Sequence, residues 1–91
     1  MTDRELLEVA ARAAGIDLLR GPYITWNPLT DDGDALRLAV CLWITVTQFT
    51  KHVRAEVDGQ PDLHEPHGPD PYAATRRAIV RAAAEIGRSM K

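Results

Sequence analysis

The chain has 91 residues, 45% hydrophobic and 26% charged, a composition that excludes a disordered chain or a repetitive fibre. Its formal net charge of −2 disfavours a general nucleic-acid-binding protein, which is usually basic. Cys41 is the one cysteine, so no intrachain disulfide can form. No apolar run approaches the ~20 residues that cross a membrane, and the first residues do not form an apolar signal segment. We therefore expect a single domain, residues 1–91, in a cytoplasm.

The N-terminal third predicts a capped helix and then a connecting segment. Thr2 and Glu5 fit a capping box, and apolar residues recur behind them at helical spacing as far as Gly15. These signals predict a first helix over residues 3–14. Between the turn signals Gly21-Pro22 and Asn27-Pro28, residues 23–26 predict a short edge strand.

The middle of the chain changes from a helical period to a period of two. Thr30 or Asp31 caps a second helix that ends near Leu42. Residues 43–49 and 52–57 then alternate, which predicts two antiparallel strands joined by a tight turn, although a bent continuous strand remains an alternative. We expect the cysteine in the core. The two tryptophans, Trp26 and Trp43, are expected there too, with an interface role as the alternative.

The last third predicts a surface loop followed by a long helix. Residues 58–71 hold four of the six prolines and are expected to form a Pro-rich loop. Asp70 caps a third helix whose first residue is Pro71 and which Gly87 ends. We expect Arg81 and Glu85 to pair on its outer face. Five apolar residues are expected to face inward: Tyr72, Ile79, Ala82, Ala83 and Ile86.

Together these elements predict an α+β fold. We expect a small antiparallel sheet of two or three strands with three helices packed on it, as a two-layer structure or an α/β/α sandwich.

Residues that could carry chemistry are few, and their spacing does not support catalysis. The loop contains metal-ligand residue types (Asp62, His64, Glu65, His67 and Asp70), but they lack the spacing of known sites, so we expect no metal and no other cofactor. The acidic run 31–34 lacks the alternating spacing of a calcium loop and is interpreted as helix capping. No nucleophile has an activating base nearby in the sequence, so we expect no enzymatic activity.

The charges are distributed unevenly along the chain. Residues 1–34 contain seven acids and three bases, and residues 72–91 contain five bases and one acid. Such polarity can attract a charged partner or a second copy of the chain, which keeps a homodimer as an alternative. Direct nucleic-acid binding through the basic helix is disfavoured by the acidic total. The predicted partner-binding residues are Asp31, Asp32, Asp34, Arg77, Arg81 and Arg88.

Two segments carry a resemblance to a known family. Residues 26–40 (WNPLTDDGDALRLAV) lead from a Trp-Pro segment into a helix, and residues 74–84 (ATRRAIVRAAA) form an Ala-rich closing helix. With the hairpin between them, they make the chain similar over residues 2–88 to the phage ABA sandwich domain. The loop 58–71 has no counterpart in that pattern.

The resemblance implies a phage or prophage protein acting in a bacterial host, with helices on both faces of a small sheet. The family has no established common activity, so no catalytic residue is carried over. It suggests a non-enzymatic accessory protein that binds and inhibits a host protein or protein–nucleic-acid complex, as anti-CRISPR inhibitors of host defence do. The alternative functions are a nucleic-acid or nucleotide-binding accessory protein of phage replication and a structural homodimer.

Overall fold

The computed structural model describes residues 1–19 and 21–90, which form an α+β fold. Its helices are α1 (Asp3–Ala14), α2 (Asp32–Leu42) and α3 (Pro71–Ser89), and a short 3-10 helix covers Gly21–Thr25. Its strands are β1 (Thr45–Gln48), β2 (His52–Glu56) and β3 (Leu63–Pro66), which form an antiparallel sheet in the order β1-β2-β3.

Local hydrogen bonds explain where the helices begin and end. The capping box predicted for α1 is present, and Asp31 and Asp70 cap α2 and α3 through their side chains. Both α1 and α2 end in a left-handed residue, which is Gly15 in α1 and Trp43 in α2. The third helix runs past Gly87 to Ser89, so the predicted stop at Gly87 is wrong.

All three helices contribute to one core on one face of the sheet. Val53 and Ala55 of β2 are fully buried, and they share that core with Leu6 of α1, Leu38 of α2 and Ile79 of α3. Because alternate residues of a strand point to opposite faces, His52, Arg54 and Glu56 lie on the other face. The described residues thus form the two-layer structure, one of the two predicted arrangements, with the helices on one side of the sheet. Helices on both faces, which the family resemblance implied, are not observed in the described residues.

Two sequence predictions about connecting segments are wrong. Residues 23–26 were predicted as an edge strand, but a 3-10 helix covers Gly21–Thr25. Residues 58–71 were predicted as loop throughout, but Leu63–Pro66 pairs with β2 as an edge strand. Pro66 is compatible with that position, because an edge strand has backbone amides without a ladder partner.

Two predicted core positions are also corrected. Cys41 is exposed rather than buried, and Tyr72 is exposed although it was expected to face inward. Ile79, Ala82 and Ala83 are buried as predicted. Both errors lie at the end of an apolar stripe, where periodicity does not define the neighbour that would cover a side chain.

Candidate functional site

Each of the six charged residues predicted to bind a partner has a partner inside the chain. Asp31 accepts a hydrogen bond from the Asp34 amide at 2.7 Å, and Asp34 in turn accepts from the Asn27 amide at 2.9 Å and from Arg37 at 2.8 Å. Asp32 pairs with Arg76 at 2.7 Å. These three acids therefore cap α2 and attach it to the preceding loop and to α3, and their role as partner contacts remains a prediction.

The predicted basic stripe is neutralised in the same way. Arg77 pairs with Asp3 of α1 at 3.1 Å, Arg81 pairs with Glu65 of β3, and Arg88 pairs with Glu85. The expected Arg81–Glu85 pair is therefore wrong. Arg81 forms its ion pair with Glu65 of β3 instead, a strand that the sequence did not predict. The structure uses these arginines to join α3 to its neighbours, which reduces the positive field that a phosphate backbone would meet.

The side chains considered as metal ligands do not converge on one point. His64 lies on the exposed face of β3, whereas its neighbour Glu65 lies on the helix side and binds Arg81. His67 contacts Gln48 Oε1 through Nε2 at 2.8 Å, and Asp70 caps α3. Among residues 1–19 and 21–90, no three His, Cys, Asp or Glu side chains are grouped as a metal site requires.

Aromatic and basic side chains from three segments lie together on the face of the sheet opposite the helices. We call this face the open face, and it consists of Thr45, Thr47, Phe49, His52, Arg54, Glu56 and His64. The rings of Phe49 and His52 stack at a centroid distance of 4.6 Å, and the rings of His52 and His64 lie 5.4 Å apart. The Arg54 guanidinium lies over Phe49 at 5.4 Å.

Arg54 is the charged centre of the open face. Its Nη2 donates to Glu56 at 3.3 Å, whereas its Nε is buried and has no hydrogen-bond partner among the described residues. A buried donor without a partner is costly, so Arg54 is held on the open face at a cost to the stability of the isolated chain. This cluster is not visible in the sequence, because His64 joins it only through β3, a segment whose composition predicts a loop.

A second surface lies between α2 and β1 and extends to the start of α3. We call it the α2 apolar surface, and it consists of Leu36, Val40, Trp43, Val46 and Tyr72. Trp43 is 87% exposed, and Leu36, Val40 and Tyr72 are each more than half exposed. Trp26, by contrast, is partly buried against the core, so the expectation of a core position is wrong for Trp43, whose ring is in solvent. Exposed apolar side chains grouped in this way are typical of a contact surface.

Trp43 also has an unusual backbone. Its φ of 59° and ψ of 42° lie in the left-handed region, which costs a residue other than glycine about 1–2 kcal/mol. Its amide donates to Ala39 and Val40 carbonyls, and the Ile44 amide donates to Ala39 at 2.9 Å. A bulky residue in a strained conformation with its ring in solvent points to a functional role.

Comparisons with known proteins give no relative from which a role could be transferred. No family model matches the chain, and neither a curated protein nor a solved structure is significantly similar to it. The helices in the described residues do not include one that is long and apolar enough to span a membrane.

Proposed function

We propose that the chain is a phage or prophage accessory protein without catalytic activity, which binds a host protein complex and blocks it. A complex of the host's defence against phage is the target that the family resemblance suggests. The observation that carries the proposal is the open face, on which Phe49, Arg54 and two histidines are grouped without a covering helix in the described residues.

The chemistry of the open face favours a protein as the target. Arginine and aromatic side chains are enriched where protein interfaces gain most of their energy. A nucleic acid would instead require several unpaired cations, but Arg54 shares the face with Glu56, and the arginines of α3 are paired with acids. The partner surface that fits Arg54 carries a carboxylate able to accept from the guanidinium.

The test is a comparative capture from an extract of the bacterial host. The wild-type chain and a double variant, Arg54→Gln with His64→Ala, are used as baits at about 150 mM salt, where exposed charge pairs are screened beyond about 8 Å. We expect a specific host complex to be retained by the wild type and at least tenfold less by the double variant. Purified complex should then lose activity when the wild-type chain is added.

Two further arms keep the proposal falsifiable. Charge reversals at Asp31 and Asp32, and separately at Arg77 and Arg81, should affect capture less than the open-face variant does, because these side chains are paired internally. Equal capture by wild type and double variant contradicts the open-face assignment. Binding of the chain to DNA or RNA that weakens steeply with salt would instead support the nucleic-acid alternative.

A further inference from the structure

The outer edge of β1 has backbone groups without a partner strand. β1 pairs with β2 alone, and the Phe49 amide donates to the His52 carbonyl at 2.8 Å at the hairpin turn. In an antiparallel ladder the hydrogen-bonded pairs alternate, so Thr47 and Thr45 also turn their backbone groups towards β2. The amide and carbonyl of Val46 and of Gln48 therefore point outward.

Two features that usually prevent strand pairing, a charged side chain and a proline, are missing from this edge. The sequence of the strand is Thr-Val-Thr-Gln. The α2 apolar surface lies directly beside it, because Val46 lines the same groove as Leu36, Val40 and Trp43. A strand added to this edge would bury exposed apolar side chains while it satisfied the outward backbone groups.

We propose that the occupant of this edge is a second copy of the chain, which pairs its own β1 antiparallel to the first. A two-fold axis at Thr47 places Val46 opposite Gln48 of the second copy, so that both outward-facing residues of each strand are paired. Each of these two symmetric pairs exchanges two backbone hydrogen bonds. The register keeps Val46 and Gln48 on the helix side in both copies, and the two sheets join into one of six strands.

Charge complementarity between the two ends of β1 supports a second copy as the occupant. Lys51 is exposed in the hairpin turn and makes no ion pair with the described residues. At the other end of the strand, Trp43 shares a hollow with Asp58 and Asp62, and with Glu56, which Arg54 already pairs. In the two-fold arrangement the hairpin turn that carries Lys51 lies beside Trp43 of the other copy, which suits a cation–π contact, while the acids on the β2 side of Trp43 attract the Lys51 ammonium at longer range.

The dimer involves side chains other than Arg54 and His64, so it does not depend on the proposed function. It nevertheless places two open faces side by side on one sheet. A host complex with two matching sites would then bind with greater avidity than a single face provides.

The experiment is sedimentation equilibrium of the purified chain from about 1 µM to about 300 µM. We expect the mass to rise from that of one chain, 10.1 kDa, towards twice that value. Two charge variants, Lys51→Glu and the double variant Asp58→Lys with Asp62→Lys, should each weaken self-association at least tenfold. Mixed together, they should form a heterodimer at least as tight as the wild-type dimer, because both contacts become attractive again.

Two measurements guard against variants that merely unfold. Circular dichroism must show unchanged helix content, and the Val46 and Gln48 amides should be protected from hydrogen exchange at high but not at low concentration. Arg54→Gln with His64→Ala is the control and should leave the mass unchanged. A wild-type chain that stays monomeric up to about 300 µM overturns the proposal, as does a dimer that forms equally well in every variant.

Discussion

At the residue scale, α1 and α2 differ in the residue that takes the left-handed conformation at the C-terminal end of the helix. Both helices end in the same left-handed turn, in which the residue after the turn donates to a carbonyl five positions back. In α1 this position is Gly15, which adopts a φ of 71° without steric cost, whereas in α2 it is Trp43. The strain at Trp43 is therefore a property of this residue and not of the motif.

Replacing Trp43 with glycine should stabilise the monomer while it weakens self-association. We expect Trp43→Gly to raise the free energy of unfolding by about 1 kcal/mol, because glycine removes the left-handed strain and the exposed ring contributes little burial. Urea unfolding at concentrations below dimer formation measures this change. Trp43→Ala keeps a Cβ atom and should give no such gain.

The matched substitution in α1 should have the opposite sign. Gly15→Ala should lower the free energy of unfolding by about 1 kcal/mol, since a Cβ at Gly15 would meet no neighbouring atom within 4 Å and only the backbone conformation is penalised. If Trp43→Gly destabilises the monomer as much as Gly15→Ala does, the strain assigned to Trp43 is contradicted.

The capping box of α1 predicts a pH dependence at Glu5. The Thr2 hydroxyl, and then the Thr2 amide, donate to the Glu5 carboxylate and hold its pKa below the ordinary value of 4.5. Because the folded pKa is depressed, this stabilisation is present above the unfolded pKa and is lost as pH falls through the folded pKa.

An NMR titration of the Glu5 carboxyl measures the effect. In Thr2→Ala we expect the Glu5 pKa to return towards its ordinary value, whereas Thr2→Ser keeps a hydroxyl and should keep the pKa low. Identical Glu5 titration curves in the wild type and in Thr2→Ala would exclude the capping box as the cause of the depressed pKa.

At the element scale, α1 and α3 approach each other closely at Gly87. A Cβ atom added at Gly87 would lie 2.1 Å from the Val9 carbonyl oxygen of α1, a distance that no small shift of a side chain can relieve. Gly87 is therefore not a helix stop, as the sequence suggested, but the position that allows two helices to touch.

Gly87→Ala should separate these helices. We expect a loss of about 2–3 kcal/mol in the free energy of unfolding, measured in urea, because backbone must move to make room. Gly33→Ala is the matched control, since its Cβ would meet only side-chain atoms, those of Arg37 and Asp31 at 3.2 Å, and a shift of a few tenths of an ångström relieves such contacts. Equal effects of the two substitutions would contradict the close approach assigned to Gly87.

Elements with local signals were predictable from the sequence, and those that depend on distant partners were not. The caps at Thr2, Asp31 and Asp70 lie beside the helices that they begin, so all three helix starts were correct. β3 contains a proline and two polar residues, and its sequence has no local pattern that predicts a strand. It forms because its backbone pairs with β2. Its absence from the prediction also hid the approach of His64 to His52, and with it the open face.

At the scale of the whole molecule, the separation of charge along the sequence proves to be mainly structural. The acids near the N-terminus and the arginines of α3 meet each other across the fold, as Asp3 meets Arg77 and Asp32 meets Arg76. A sequence shows net charge by segment but not which charges fold together. The two contact surfaces proposed above therefore consist mostly of residues outside that pattern: the open face and the α2 apolar surface.

The proposed binding of a host protein complex through the open face can be checked on the chain itself. The measurement is amide hydrogen exchange of the chain, alone and with the complex that it captures. We expect added protection in β2 and β3, centred on Arg54 and His64, and none in Arg54→Gln with His64→Ala. Protection confined to α1 and the outer side of α3, with β2 and β3 unchanged, would contradict it.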